Sequence, residues 1–339
     1  MRIAVTGSIA TDQLMFYPGR FTDDFIADHF ERVSVSFLVD RMEIRRGGVA
    51  ANICYGMAAL GLRPAIVGAV GADFADYRSW LDRHGVDTAS VHVFDLFHTA
   101  RFICTTDAAQ NQIASFYPGA MTQARTIELA PVAERLGGLD WVIISPNDPE
   151  AMQRHTAECR NRGYRFVADP SQQVANMDGA ELRELVTGAA LLFCNAYEKA
   201  LLERKTGWTD AEVLHRVGVR VTTLGAHGAV VECPEAPPVR VPAVPPHELV
   251  DPTGVGDAFR AGFLSGMCWG LGWERCAQLG SLLATYALET VGTQEYEVKP
   301  EHFIDRFAAA FGPAAAAEVA PRLGVTDPDS GGPAGGRQR

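Results

Sequence analysis

The sequence predicts an α/β fold: a mostly parallel central sheet covered by helices on both faces, with a small β-sheet lid at one edge. Three observations lead there. From Asp140 onward, short apolar runs alternate with helix-like stretches, the pattern of strands buried on both faces. Two earlier segments, Val33 to Arg45 and Ala100 to Phe116, break that alternation with β-branched and aromatic residues and no helical period. Glycine is abundant, at 33 of 339 residues, as many tight strand-to-helix turns require.

In chain order, Ile3 to Thr6 is an apolar run closed by Gly7 and Ser8, a buried strand rather than the core of a signal peptide. Val33 to Arg45 supplies the first lid segment. Val49 to Leu60 reads as a helix, Ala65 to Val70 as a strand and Phe74 to His84 as a helix. Ala100 to Phe116 is the second lid segment. Trp141 to Ser145 is a strand, and Pro149 to Asn161 a helix with proline at its start. Arg165 to Ala168, Leu191 to Cys194 and Val219 to Leu224 are further strands. Val255 to Trp269 and Trp273 to Glu289 are strong helices. The expected organisation is one domain over 1–325, with lid segments at about 13–46 and 97–119. The tail, 326–339, is rich in Gly and Pro and is expected to be disordered.

The net charge is −11 and the basic residues are scattered, which argues against nucleic-acid or anionic-membrane partners. No stretch is long and apolar enough to span a membrane. The seven cysteines form no C-x-x-C pair. They read as free buried thiols in a reducing, cytoplasmic setting rather than a disulfide frame or zinc site.

The most informative run is DPTGVGDAFRAGF, Asp251 to Phe263. Gly254 and Gly256 flank Val255, and a helix follows at once. Backbone N–H groups and the helix dipole at such a start make an anion hole suited to a transferring phosphoryl group. Asp257, in the first turn, can accept the proton of an attacking hydroxyl. The alternative is a glycine-rich helix start with an ordinary N-terminal Asp. In RRGGVAAN, Arg45 to Asn52, two glycines precede a helix, and Asn52 offers donor and acceptor to a diol, or is a helix-surface Asn. Asp12 follows the first strand, where α/β sheets bind ligands, and could accept from two hydroxyls or simply serve a turn. No G-x-G-x-x-G follows that strand, against a dinucleotide fold.

These motifs resemble those of the ribokinase-like (PfkB) carbohydrate kinase family, in the family's chain order and over nearly all of Met1 to Gly324. The resemblance implies that Asp257 is the catalytic base and that the amides of Gly254, Val255 and Gly256 form the anion hole. It implies that Gly48, with its neighbouring glycine, and Asn52 face sugar hydroxyls. Asn195-Ala-Tyr-Glu198 resembles the family's N-x-x-E motif, in which Glu198 would position Mg²⁺ through water; Asn as N-cap with Glu three residues on is equally a capping box. Thr222 to Gly228 resembles the ATP loop, with Thr223, Gly225, Gly228, Asn195 and Gly256 on the nucleotide, although a plain hairpin turn has the same look. Many members carry Lys or Arg near position 227, where this chain has His227. Asp251 and the segment Glu289 to Gln294 resemble a monovalent-cation (K⁺) site.

For the substrate, Phe102 and Phe116 could sandwich a purine or be lid core, and adjacent Gln172 and Gln173 could pair with a base or ribose. Within the family the runs VTGSIATD, VSFLVD, ASFYPGAM, NDPEAM and DPSQQ are similar to the actinobacterial adenosine kinases. That resemblance implies ATP-dependent phosphorylation of adenosine to AMP. It implies contacts from Ser8, Asp12, Ser36, Gly48, Asn52, Phe102, Phe116, Gln172 and Gln173. It also implies a homodimer joined through the lid, whose apolar stretch Val33 to Val39 needs a partner to cover it. A ribose or other sugar kinase of the same family is the alternative.

Overall fold

The computed structural model describes residues 1–24 and 35–325. The expected tail and the first two residues of the segment Val33 to Arg45 lie outside them. Among the described residues, thirteen strands form two sheets. In chain order they are β1 (Ile3–Thr6), β2 (Ala10–Phe16), β3 (Arg41–Gly47), β4 (Ala65–Gly71), β5 (Asp87–Phe94), β6 (Ala100–Thr106) and β7 (Gln112–Tyr117). Then come β8 (Trp141–Ile144), β9 (Phe166–Ala168), β10 (Leu191–Asn195), β11 (Arg220–Thr223), β12 (Ala229–Cys233) and β13 (Ala236–Val241). The main sheet runs β13-β12-β11-β10-β9-β8-β1-β4-β5, parallel from β11 to β5 with an antiparallel β11-β12-β13 edge. The small sheet runs β3-β2-β6-β7.

Each central strand feeds two cores, because alternate side chains point to opposite faces. Ile3, Val5, Trp141, Ile143, Leu191 and Phe193 pack with the helices Val49–Ala59, Val255–Cys268 and Trp273–Leu288. Ala4, Val142, Ile144 and Leu192 pack with the helices Pro149–Arg162, Gly179–Val186 and Ala196–Thr206. This two-faced burial makes the strands continuously apolar in sequence. Helix starts are fixed locally: Asp148 accepts from the Ala151 N–H ahead of Pro149, and the helix closes on Gly163 in the left-handed region.

Three expectations change. Val35 to Val39 is not strand; the edge strand β3 begins at Arg41. Phe37 instead packs on the rings of Tyr17 and Phe21, with centroids 5.0 and 4.9 Å away. β2 is a full strand of the small sheet, antiparallel to β3 and parallel to β6, so Asp12 belongs to that sheet and not to the edge of β1. Strands β5, β12 and β13 lie on the sheet's flanks, where exposure on one side allows polar residues that hide a strand in sequence. Among the described residues, no helix is long and apolar enough to cross a membrane. All seven cysteines are unpaired, and Cys233 and Cys268 are only partly buried.

Candidate active site

The chain reverses its direction of travel across the sheet at β1, with β4 and β5 to one side and β8 to β11 to the other. Such a switch point leaves a crevice beyond the carboxyl ends of the strands. A cavity of about 480 Å³ lies there. Ser8 follows β1, Pro146 and Asn147 follow β8, and Gln172 and Gln173 follow β9. Two helix starts bring Gly48, Asn52, Gly254 and Asp257. The small sheet adds Asp12, Phe102 and Phe116 as one wall.

The glycine pair in RRGGVAAN has a packing reason. A Cβ on Gly47 would sit 3.0 Å from the Asp12 carboxylate, and one on Gly48 would sit 2.6 Å from the Ala10 nitrogen and the Ser8 carbonyl. Gly48 also has φ of 96°, a left-handed conformation. The glycines therefore let the helix start press onto the β1–β2 link. Ser8 Oγ accepts from the Val49 N–H at 2.9 Å, which anchors that start.

Asp257 stands in the first turn of the helix Val255–Cys268, whose N-cap Gly254 is left-handed at φ 75°. A Cβ there would meet Thr293 Cγ2 at 2.7 Å. Asn52 Nδ2 donates to Asp257 Oδ2 at 2.8 Å. The Asn52 carbonyl accepts from Thr293 Oγ1 and Gln294 Nε2, both at 2.9 Å, so it is committed to the protein rather than open to a diol. Burial pushes the Asp257 carboxyl up to about 6, against the pull of Arg260 and the Asn52 hydrogen bond. Burial and then the charges of Asp251 and Glu295 lift Asp12 to about 6 as well. Both carboxyls thus titrate close to neutrality, as a proton acceptor should.

Behind Asp257 lies a pair not singled out in the sequence. Arg260 and Asp169, both buried, form an ion pair at 2.6 Å. Arg260 also donates to Ser171 Oγ at 2.9 Å and to the Gly256 carbonyl at 3.0 Å. The signal was present: a lone Arg inside DAFRAGF has no water to turn to and must find a buried partner. Thr293, Asn147, Asn176, Met121, Pro146 and Thr253 also line the cavity. Thr253, Thr293, Met121 and Asn147 fall inside runs already quoted but were not singled out there, whereas Pro146 and Asn176 carry no motif and reach the site only through the fold.

The two aromatic residues are directly opposed on β6 and β7 and share the face of Asp12. Phe116 is 51% exposed. Neither ring contacts another aromatic ring among the described residues, so these are not core phenylalanines. The glutamines are unequal. Gln173 donates to the Asn147 carbonyl at 2.7 Å and accepts from Asn176 Nδ2 at 2.9 Å. Both line the cavity, but the Gln173 amide is held by the protein, whereas the Gln172 amide has no hydrogen bond among the described residues. Ser36 is exposed and does not line this chain's own cavity.

A second cavity, about 510 Å³, opens past β10 and β11, lined by Asn195, Ala196, Tyr197, Thr223, Leu224, Gly225 and His227. The run Thr222 to Gly228 is a hairpin turn that also walls this cavity. Gly228 is outside the lining; a Cβ there would strike the Val241 carbonyl. Asn195 and Glu198 form a reciprocal capping box, each side chain accepting the other's N–H at 2.8 Å. Burial raises the Glu198 carboxyl. Asp251 accepts from the N–H groups of Thr253 and Gly292, at 2.9 and 3.0 Å, and clamps the 290s loop to the helix start. Among the described residues, no cluster of three or more His, Cys, Asp or Glu could cage a metal.

The chain matches the pfkB family of carbohydrate kinases over residues 6–300. It belongs to that family. The nucleoside kinase of Methanothermobacter thermautotrophicus is 30% identical over 310 residues, covering 90% of this chain and 98% of the relative. The solved structure of Burkholderia thailandensis nucleoside kinase in complex with inosine is 34% identical, with a TM-score of 0.79 over 91% of this chain and 98% of that one. Ribokinase from Thermotoga maritima, at 20% identity and a TM-score of 0.73, covering 91% and 99%, shares the fold. The architecture is thus ribokinase-like, as the pfkB motifs implied.

Proposed function

We propose that this pfkB kinase is an ATP-dependent nucleoside kinase that phosphorylates the 5′-hydroxyl of adenosine. One observation carries the reading: a wall of two uncommitted phenylalanine rings, Phe102 and Phe116, stands in the same cavity as Asp12 and Asp257. A free sugar leaves those rings uncovered, whereas a base stacks on them for roughly 1–3 kcal/mol. The Methanothermobacter and Burkholderia relatives, both nucleoside kinases, support the class; adenosine rests on the sequence runs and on Gln172, whose amide is left free for a base among the described residues.

In this reading ATP lies across the second cavity, with its phosphates toward the start of the helix Val255–Cys268. Asp257 takes the 5′-hydroxyl proton as the oxygen attacks the γ-phosphorus, and the bond to the ADP oxygen breaks. The Gly254–Gly256 amides and the helix dipole hold the developing charge. Mg²⁺ neutralises phosphate charge when bound. Among the described residues no cage of carboxylates would hold it, so Glu198 would be the nearby carboxylate positioning it through water. A monovalent cation beside Asp251 and a homodimer complete the proposal. The small sheet's face away from the cavity exposes Met42, Ile44, Ile113 and Tyr117, a patch that a second copy would cover.

The test is ADP release from ATP–Mg²⁺ with adenosine, guanosine, inosine, ribose and fructose offered separately. Adenosine should lead by at least an order of magnitude in kcat/KM. Inosine or guanosine in the lead would keep the class and replace the base. Turnover of a free sugar in preference would sink the reading of Phe102 and Phe116.

A further inference from the structure

Asn52 has to present an N–H, not a carbonyl, to Asp257 if that carboxylate is to remain a proton acceptor. An amide alone has no such preference, because its two ends differ little in shape. Something must fix its direction, and the surrounding atoms identify what does.

Thr293 cannot do it alone. Its Oγ1 lies 2.9 Å from both the Arg46 carbonyl and Asn52 Oδ1, and one hydroxyl proton cannot serve two acceptors at once. Gln294 is fully buried, and its Nε2 reaches Asn52 Oδ1 at 2.9 Å and Tyr77 Oη at 2.6 Å. Tyr77 in turn donates its own proton to the Gly47 carbonyl at 2.9 Å, so towards Gln294 it can only accept. That hydroxyl therefore dictates which end of Gln294 faces inward. Turning the Gln294 amide over would set its carbonyl against two oxygens. The arrangement leaves Gln294 Oε1 buried without a hydrogen-bond partner among the described residues. A buried acceptor is left unsatisfied so that both N–H groups can be delivered, which is the mark of a constraint rather than filler.

We propose that Gln294, oriented by Tyr77, is the positioning residue that locks Asn52 with its N–H toward Asp257 and so keeps the base ionised near neutral pH. The chain runs Gly47 carbonyl, Tyr77, Gln294, Asn52, Asp257. No member beyond Asn52 touches the reacting atoms. The inference rests on the assignment of Asp257 as base.

The test is the pH dependence of kcat for the wild type, Gln294→Leu and Tyr77→Phe, with Asp257→Asn as reference. In the wild type the acid limb should fall close to 6. Loss of the locked donor removes one hydrogen bond to the ionised carboxylate, so in Gln294→Leu the limb should move up by about one pH unit. At pH 6 its kcat then drops about fivefold, while at pH 9 it stays within about twofold of wild type. Nucleoside KM should hardly move. Tyr77→Phe keeps the ring, which packs edge-on against Phe74 at 5.6 Å, and serves if the Leu variant does not fold; it should shift the limb in the same direction by less. A limb that stays in place, or a kcat loss equal at all pH values, overturns the proposal. If Asp257→Asn itself retains turnover, the base assignment fails first. If Asp257→Asn is dead and the limb is unmoved, only the role of Gln294 fails.

Discussion

The two cavities at the carboxyl edge of the sheet are built in opposite ways. The one past β10 and β11 uses two consecutive strand ends, Asn195 to Tyr197 and Thr223 to His227. The one under the small sheet draws on residues from Ser8 to Thr293, contributed by two sheets and several helix starts. The first depends on local turn and capping chemistry, and a change there stays there. The second depends on the register between distant segments and on buried charges, so its residues serve folding and chemistry together.

The largest effect that separates these roles is on turnover. Asp257→Asn should lower kcat by roughly 10²–10⁴-fold, the usual contribution of a positioned proton acceptor. Nucleoside binding measured by calorimetry should stay near wild type. If binding collapses as well, chemistry and shape cannot be separated in this cavity.

Next is stability. Arg260→Met strands Asp169, fully buried, without its counter-charge, and should cost about 3–5 kcal/mol in urea unfolding. Tyr197→Ala, at a side chain 72% exposed in the other cavity, should change stability by less than about 0.5 kcal/mol while raising the KM for ATP. Comparable losses for both would erase the contrast between the cavities. A smaller effect is expected at the wall: Phe116→Ala should weaken nucleoside binding by about 1–3 kcal/mol and leave the KM for ATP unchanged.

The smallest effect runs against intuition. Asp257 titrates at about 6 in the fold, against an ordinary 3.8, so the native state holds this proton more tightly than the unfolded chain does. Its ionised form therefore destabilises the fold above about pH 6, and the penalty fades as pH falls toward 4. A shift of that size corresponds to ~3 kcal/mol, reduced to ~1–2 kcal/mol by the side chain's partial exposure. Asp257→Asn should then raise the unfolding free energy by that amount at pH 7, with the gain gone near pH 4. A variant less stable than wild type at pH 7 would mean that the carboxylate is better solvated than its burial implies.

The same contrast explains what was legible in the sequence. The β10–β11 cavity follows from contiguous runs, and so do the two helix starts with their glycines. The central strands were readable because burial on both faces makes them uniformly apolar. β2 was not, since ATDQLMF is half-buried over most of its length and turns the charged Asp12 toward the cavity. The commitment of Gln173 to Asn147, or of Asn52 to Gln294 across 242 positions, has no local signature at all. Arg260 lay in between: its place on an apolar helix implied a buried partner but could not say that Asp169 was it.

β2 has one more consequence. Asp12 is paired through the backbone with Arg45 on one side and Phe102 on the other, within a sheet tethered to β1 only by Gly7 to Ile9 at this end. Any tilt of that sheet carries the carboxylate and the ring as one rigid piece. A ligand's hydroxyls and its flat apolar part are then grasped or let go in a single event. Should the sheet tilt, a compound bearing only one of the two features would meet half of that rigid piece, and the site would answer to the conjunction of both rather than to their sum.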